Sequence, residues 1–339
     1  MPRHRAVLSV TLAGLTAFVL AGCTSAQGVP SGSDDDGLRI VSSTTVYADL
    51  AQRIVGETAT VEAVIDSAAV DPHDYEATAR DGLAVRDADV VIMNGGGYDA
   101  FMHGLIESAG VEHVIAAVDF HHGSGDRAHD DDHEEGAEAG DHDHDHGHGG
   151  DHDHDHGHGG DHDHDHSFNE HVWYDPHTMI HLVEGVAAEL ADLAPEAAEV
   201  AEEGSAALIS ELEDLETRLS DIADEHAGDT AFFTEPVGGY FAAAAGLEDV
   251  TVDGFAEAVE NGEGVAPAVL NDALKAIESG EVTVLIANAH TGGSETDRVI
   301  AAAEDSDVPV VEFTETIPDG SDYVTWMTGN ADALSDALS

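Results

Sequence analysis

The sequence predicts an α/β protein of two lobes, each a mostly parallel sheet with helices on both faces, joined by a long rigid helix. Three observations predict it. Short apolar, β-rich runs alternate with helical patterns over residues 38–118, and the same alternation resumes over 230–338. Strands separated by helices imply parallel pairing, because a parallel neighbour is reached only through a crossover. Between the two alternations lies an uninterrupted amphipathic helical stretch. The 339 residues, 42% of them hydrophobic, suffice for one large domain or for two lobes with separate cores.

Taken in order, LRIVSS (38–43) is a strand followed by a helix over 47–55. VEAVI (61–65), DVVIMN (89–94) and VEHVIAAV (111–118) are further strands, with helices at 80–87 and 98–109. Asn94-Gly95-Gly96-Gly97 lacks the spacing of a nucleotide-binding fingerprint and fits a tight strand-to-helix turn. Pro195 suits the first turn of the long helix. Along it Leu208, Leu212, Leu215, Leu219 and Ile222 recur at spacings of four and three, one buried stripe. About thirty such residues span ~45 Å, a stiff connector rather than a flexible hinge. The second lobe follows with strands at 230–234, 250–255, 281–288 and 308–313. Helices fit at 237–246, 266–279, 294–304 and 323–338. The lobes are thus expected at 37–194 and 228–339, with the linking helix at 195–227.

The N-terminus, MPRHRAVLSVTLAGLTAFVLAGC, has a basic start at Arg3 and Arg5 and an apolar stretch over 6–20. That stretch is too short to span a bilayer, and 1–22 fits a signal peptide. Cys23, the single cysteine, follows Leu20-Ala21-Gly22, which resembles a bacterial lipobox with Cys23 as the lipidated residue. Residues 23–36 then form a flexible tether. One cysteine leaves no disulfide framework.

The formal charge is -61, from 71 acids against 10 bases, among which Lys275 is the only lysine. That balance argues against nucleic acid or anionic lipid as partners and favours cations. The segment 121–166 holds 15 of the 24 histidines, with aspartate alternating, and no large apolar residue. It cannot bury enough surface to offset the entropy of ordering and is expected to be a disordered insert in the first lobe. His142, His144, His146, His148, His152, His154, His156, His158, His162, His164 and His166 would make it a tract of weak, exchanging metal contacts; a mere spacer is the plainer alternative.

Four residues combine metal-ligating chemistry with a suitable place. His73 in VDPHDYEAT follows the strand at 61–65, and His171 in NEHVWYDP follows the tract. Glu235 in FFTEPVGGY and Glu315 in VVEFTETIP stand just beyond strands at 230–234 and 308–313. Open α/β sheets bind ligands at the carboxyl ends of their strands. Two imidazoles and two carboxylates meeting across a cleft would form a compact cation site. His290 in ANAHTGG approaches from the same sheet end and is an alternative third ligand. His177 and His181, one helical turn apart, could share a metal but stand outside this primary set.

DPHDYEAT, ADVVIMNGGGYDAFM, the histidine-rich insert, HVWYDP, EPVGGYFAAAAGL and ETIPDGSDYVTWM occur in an order that resembles the bacterial zinc/manganese-type metal-uptake lipoproteins, the solute-binding receptors of ABC importers. The likeness covers nearly the whole chain after the leader. It implies two α/β lobes joined by a rigid helix, with one metal held between them by His73, His171, Glu235 and Glu315. Glu170 stands where proline is usual. Zinc-type members commonly carry histidine where this chain has Glu235, which looks more like the manganese branch; the histidine-rich insert looks like the zinc branch. Zinc is therefore expected, with manganese as the alternative. The resemblance further implies an ABC permease as partner and a monomer lipid-anchored on the outer face of the cytoplasmic membrane, with no enzymatic activity. Two rival readings are a secreted zinc hydrolase, for which the HExxH motif is absent, and a metal buffer acting through the tract alone.

Overall fold

Two four-stranded parallel sheets of the same topology organise the chain. The computed structural model describes residues 37–121, apart from Ala69 and Asp74, and residues 168–339. The first sheet has the order β2-β1-β3-β4, from β1 (Leu38–Thr44), β2 (Ala59–Ile65), β3 (Val90–Met93) and β4 (Val114–Ala116). The second has the order β6-β5-β7-β8, from β5 (Thr230–Phe233), β6 (Glu248–Asp249), β7 (Val284–Asn288) and β8 (Val310–Phe313). All pairings are parallel. In each lobe the second strand pairs outside the first and the third pairs on the other side, so the strand order reverses beside the first strand. Ligands of open α/β sheets bind at such reversals.

The crossovers are α1 (Thr45–Val55), α2 (Ala79–Arg86) and α3 (Phe101–Ala109) in the first lobe. α4 (Pro176–Leu193) and α5 (Ala198–His226) lead to the second, which contains α6 (Gly239–Ala244), α7 (Ala256–Glu260), α8 (Pro267–Glu278), α9 (Ser294–Asp305) and α10 (Tyr323–Leu338). The predicted leucine stripe of α5 is buried in full: Leu208, Leu212, Leu215, Leu219 and Ile222 all face inward. Thr78 and Asp81 form a reciprocal capping box that starts α2. This fixes the far end of the loop carrying His73.

The lobes do not keep separate cores. One buried cluster joins Ile40, Val90 and Ile92 of the first sheet, the α5 stripe, Phe233, Ile286 and Phe313 of the second sheet, and Tyr323 and Met327 of α10. Smaller clusters fill the outer faces, around Val41, Val91 and Met102 in one lobe and Phe232, Leu285 and Val299 in the other. α10 also returns to the first lobe. The Tyr323 backbone N–H donates to Asp49 Oδ2 at 3.1 Å, and its hydroxyl donates to the Trp173 carbonyl at 2.5 Å. A shared core of this kind resists hinge bending, since opening it exposes apolar surface.

Three elements differ from the sequence expectation. The run 250–255 is not a strand: β6 ends at Asp249, whose Oδ1 accepts from the Thr251 N–H, while Thr251 Oγ1 accepts from the Phe233 N–H. Its β-branched residues cover the sheet edge from a loop, an environment that selects the same side chains as a strand. α3 starts at Phe101 rather than 98, because Gly95, Gly96 and Gly97 all take positive φ, at 81°, 70° and 116°. The strand expected over 111–118 shortens to β4 and continues as a 3-10 turn over Ala117–Phe120.

Candidate metal site between the lobes

Each site residue is placed by a backbone feature close to a strand end. His73 sits in the loop after β2, where its N–H donates to Asp71 Oδ1 at 2.9 Å. His171 opens the 3-10 turn Val172–Tyr174. Asn169 holds it twice, with Oδ1 accepting from the His171 backbone N–H at 3.0 Å and from Nδ1 at 2.9 Å. Asn169 is itself tied to the second lobe, donating from Nδ2 to the Pro236 carbonyl at 2.9 Å and accepting at its carbonyl from Tyr240 Oη at 2.7 Å. Gly96 makes room for this segment: a Cβ there would lie 3.3 Å from Glu170 Cβ and 3.2 Å from Val118 Cγ1.

From the second lobe, Glu235 and Glu315 each stand two residues beyond a strand, after β5 and β8. Asn288, the last residue of β7, donates from Nδ2 to Glu235 Oε2 at 2.7 Å and to Glu315 Oε1 at 2.6 Å. Thr291 donates its hydroxyl to the other Glu235 oxygen. Tyr174 links the two sides, donating to the Thr314 carbonyl at 2.7 Å and stacking on Phe313.

The fold therefore brings His73, His171 and Glu315 together, with one ligand atom from each within 4.8 Å of the others. His171 and Glu315 are 1% and 2% exposed, and the His73 side chain is 24% exposed. With Nδ1–H of His171 donating to Asn169, its Nε2 carries the lone pair. That atom and Glu315 Oε2 are buried without a hydrogen-bond partner among the described residues. Glu235 stands one asparagine away from this group; each of its oxygens accepts one hydrogen bond and retains a second lone pair. His290 lines the same cleft but is exposed, and it reaches Asn288 only through its backbone N–H, at 3.1 Å. Cys23 and the tract histidines named above lie outside the described residues.

Sequence reasoning missed four contributors. His73 Nδ1 lies 3.3 Å from Glu170 Oε1, and His73, Glu170 and Glu260 form a second group of converging ligand atoms. In the sequence Glu170 stands out only as a departure from proline. Asn169 and Asn288 orient the candidate ligands; Asn288 is reachable by the same strand-end rule that finds the glutamates. Glu260, at the end of the five-residue α7, carries no sequence signal, because the segment before it reads as a strand.

The electrostatics are one-sided. The cleft, about 840 Å³, is lined by Asp71, Glu170, Asp249, Asp253, Glu257 and Glu260 among others, and by no lysine or arginine among the described residues. Burial, then repulsion from Asp71, Glu235 and Glu260, pushes Glu315 up to about 8. Burial and the neighbouring Glu260 push Glu170 up to about 8, and burial with Glu235 nearby pushes Glu260 up to about 7. Glu235 is also raised, by burial. Burial, with His73 adding repulsion, lowers His171 to about 3 and so keeps its imidazole neutral. Carboxylates crowded without a counter-charge, beside a neutral imidazole aimed at them, are matched by a multivalent cation.

Residues 40–337 match the family described as ZnuA, zinc-uptake complex component A, periplasmic. The chain belongs to this family. Among curated ZnuA-type relatives, the zinc-binding lipoprotein AdcA of Streptococcus pneumoniae is 27% identical over 257 residues, covering 75% of this chain and 45% of AdcA. This chain thus spans less than half of that relative's length. The manganese-binding lipoprotein MntA of Halalkalibacterium halodurans is 24% identical over 246 residues, covering 70% of this chain and 67% of MntA. Among solved structures, the periplasmic zinc-binding protein TroA from Treponema pallidum superposes with a TM-score of 0.67 at 18% identity, over 89% of this chain and 99% of TroA. At that identity the likeness establishes the fold, two parallel-sheet lobes with helices.

Proposed function

We propose that this ZnuA-family chain is an extracytoplasmic receptor that captures a divalent transition metal, zinc foremost, between its lobes and delivers it to an ABC importer. One observation carries this reading: His171 Nε2 and Glu315 Oε2 are buried without hydrogen-bond partners and converge with His73. Leaving such atoms unpaired is costly unless a ligand meets them. A tetrahedral zinc holds its donors about 3.3 Å apart, so closing the group around an ion takes side-chain shifts on the order of 1 Å. His73, His171 and Glu315 are the primary ligands, and Glu235 completes the set through a second lone pair. The family is one of uptake receptors rather than enzymes, and a four-ligand site leaves no open position for a reacting water. Lipidation at Cys23 would tether the receptor to the outer face of the cytoplasmic membrane as a monomer, and the His/Asp tract would gather metal weakly near it.

Manganese is the second reading, favoured by Glu235 at the third position and by Glu170 and Glu260 nearby, since carboxylate donors suit that harder ion. Competitive titration of protein lacking residues 122–166 with zinc and manganese tests both. One tight equivalent with zinc preferred is the expected outcome. Manganese preference would reassign the metal, and loss of all tight binding with the tract would leave only a buffer.

A further inference from the structure

His177 and His181 are one turn apart on α4, on one face of the helix. Their Nε2 atoms lie 3.3 Å from each other, and the rings meet edge-on with centroids 4.7 Å apart. The outer nitrogens are both engaged by carboxylates. His177 Nδ1 is 3.2 Å from Glu216 Oε1 of α5, and His181 Nδ1 is 3.2 Å from Glu184 Oε2. A carboxylate oxygen accepts, so each Nδ1 is the donor to its glutamate and the two Nε2 atoms are turned toward one another.

We propose that His177 and His181 form a second metal site, distinct from the cleft, that takes a borderline divalent transition metal such as zinc through both Nε2 atoms, with water completing the shell. Two imidazoles on a tetrahedral zinc, with bonds of about 2.0–2.1 Å, place their ligating nitrogens about 3.3 Å apart. The pair shows that spacing without rearrangement. Glu184 and Glu216 supply the carboxylate contact that ligating histidines make through their other ring nitrogen, which fixes the tautomer and raises basicity. The two side chains are 30% and 27% exposed, so an ion reaches them without any opening of the fold. None of these four residues lines the cleft or belongs to its ligand groups. With two protein ligands against three or more, this site is the weaker of the two and exchanges faster.

Hydrogen exchange of the full-length protein, read by mass spectrometry in zinc buffers and in chelator, gives a local readout that other zinc sites do not obscure. Zinc should slow exchange of the amides over 179–184 at least tenfold, the protection expected once free zinc exceeds the site's Kd about tenfold. In His177→Ala and in His181→Ala that zinc-dependent slowing should vanish, while zinc-dependent protection around His73 persists. Alanine favours the helix, so both variants keep α4. Equal zinc-dependent slowing over 179–184 in parent and variants, or none in the parent, would overturn the proposal. Loss of protection around His73 in the parent bears instead on the cleft.

Discussion

The two lobes share one topology and deliver opposite chemistry to the cleft. The first lobe supplies imidazoles, from a loop after β2 and from the segment ahead of α4; the second supplies carboxylates, each two residues past a strand. Each lobe also supplies an asparagine that orients its candidate ligands, Asn169 for His171 and Asn288 for the two glutamates. Short strand-end placements need little support, whereas the longer excursion to His171 is tied down by bonds from the other lobe. The difference teaches that the residue orienting His171 is itself held from the other lobe, whereas the glutamates are oriented from within their own lobe by Asn288, with Tyr174 steadying Thr314 beside Glu315.

The comparison can be broken most severely by removing one ligand from each side. His171→Ala and Glu315→Ala should each weaken zinc binding roughly hundredfold or more, about 2.7 kcal/mol, in calorimetry of protein lacking residues 122–166. A large loss for one lobe alone would mean that the other does not touch the metal. A smaller effect separates the orienting residues. Asn169→Ala and Asn288→Ala should each cost on the order of tenfold in affinity, as the loss of a residue that holds a metal-binding side chain in place does. The cost of Asn169→Ala should be accompanied by a lower melting temperature, because it also severs a bond between lobes.

Protonation sharpens the asymmetry further. Glu315 and Glu170, raised to about 8, and Glu260, raised to about 7, hold protons at neutral pH in the metal-free protein, whereas His171 at about 3 does not. Zinc should therefore displace about one proton at pH 7, from the carboxylates, and affinity should rise up to about tenfold per pH unit between pH 6 and 8. Calorimetry in buffers of different ionisation enthalpy counts the released protons; a count of zero would contradict the assignment. The smallest effect is expected for His290→Ala, less than about twofold (~0.4 kcal/mol), since its ring is exposed at the cleft wall. A loss comparable with His171→Ala would make it a ligand.

Much of this was legible from periodicity. The α5 stripe followed from its spacing and seven of the eight expected strands from short apolar runs, because a buried helix face imposes a repeat on the chain and a doubly covered strand an unbroken apolar run. The segment 250–255 failed because an edge-covering loop selects the same β-branched residues. His73, Glu235 and Glu315 stood out at strand ends and His171 beside the histidine tract; joining all four into one ligand set rested on the family resemblance.

The sequence by itself determined the two parallel sheets, the rigid linking helix and the residue types that could meet a cation. Only the tertiary structure decided which of them meet. It drew Glu170 and Glu260 to His73, set Asn288 between the glutamates and kept His290 at the wall. The physical reason is range. Periodicity encodes which face of an element is buried, within a few residues of chain, while the site is made of contacts between residues up to 242 positions apart, from His73 to Glu315, whose meeting depends on how the lobes share a core.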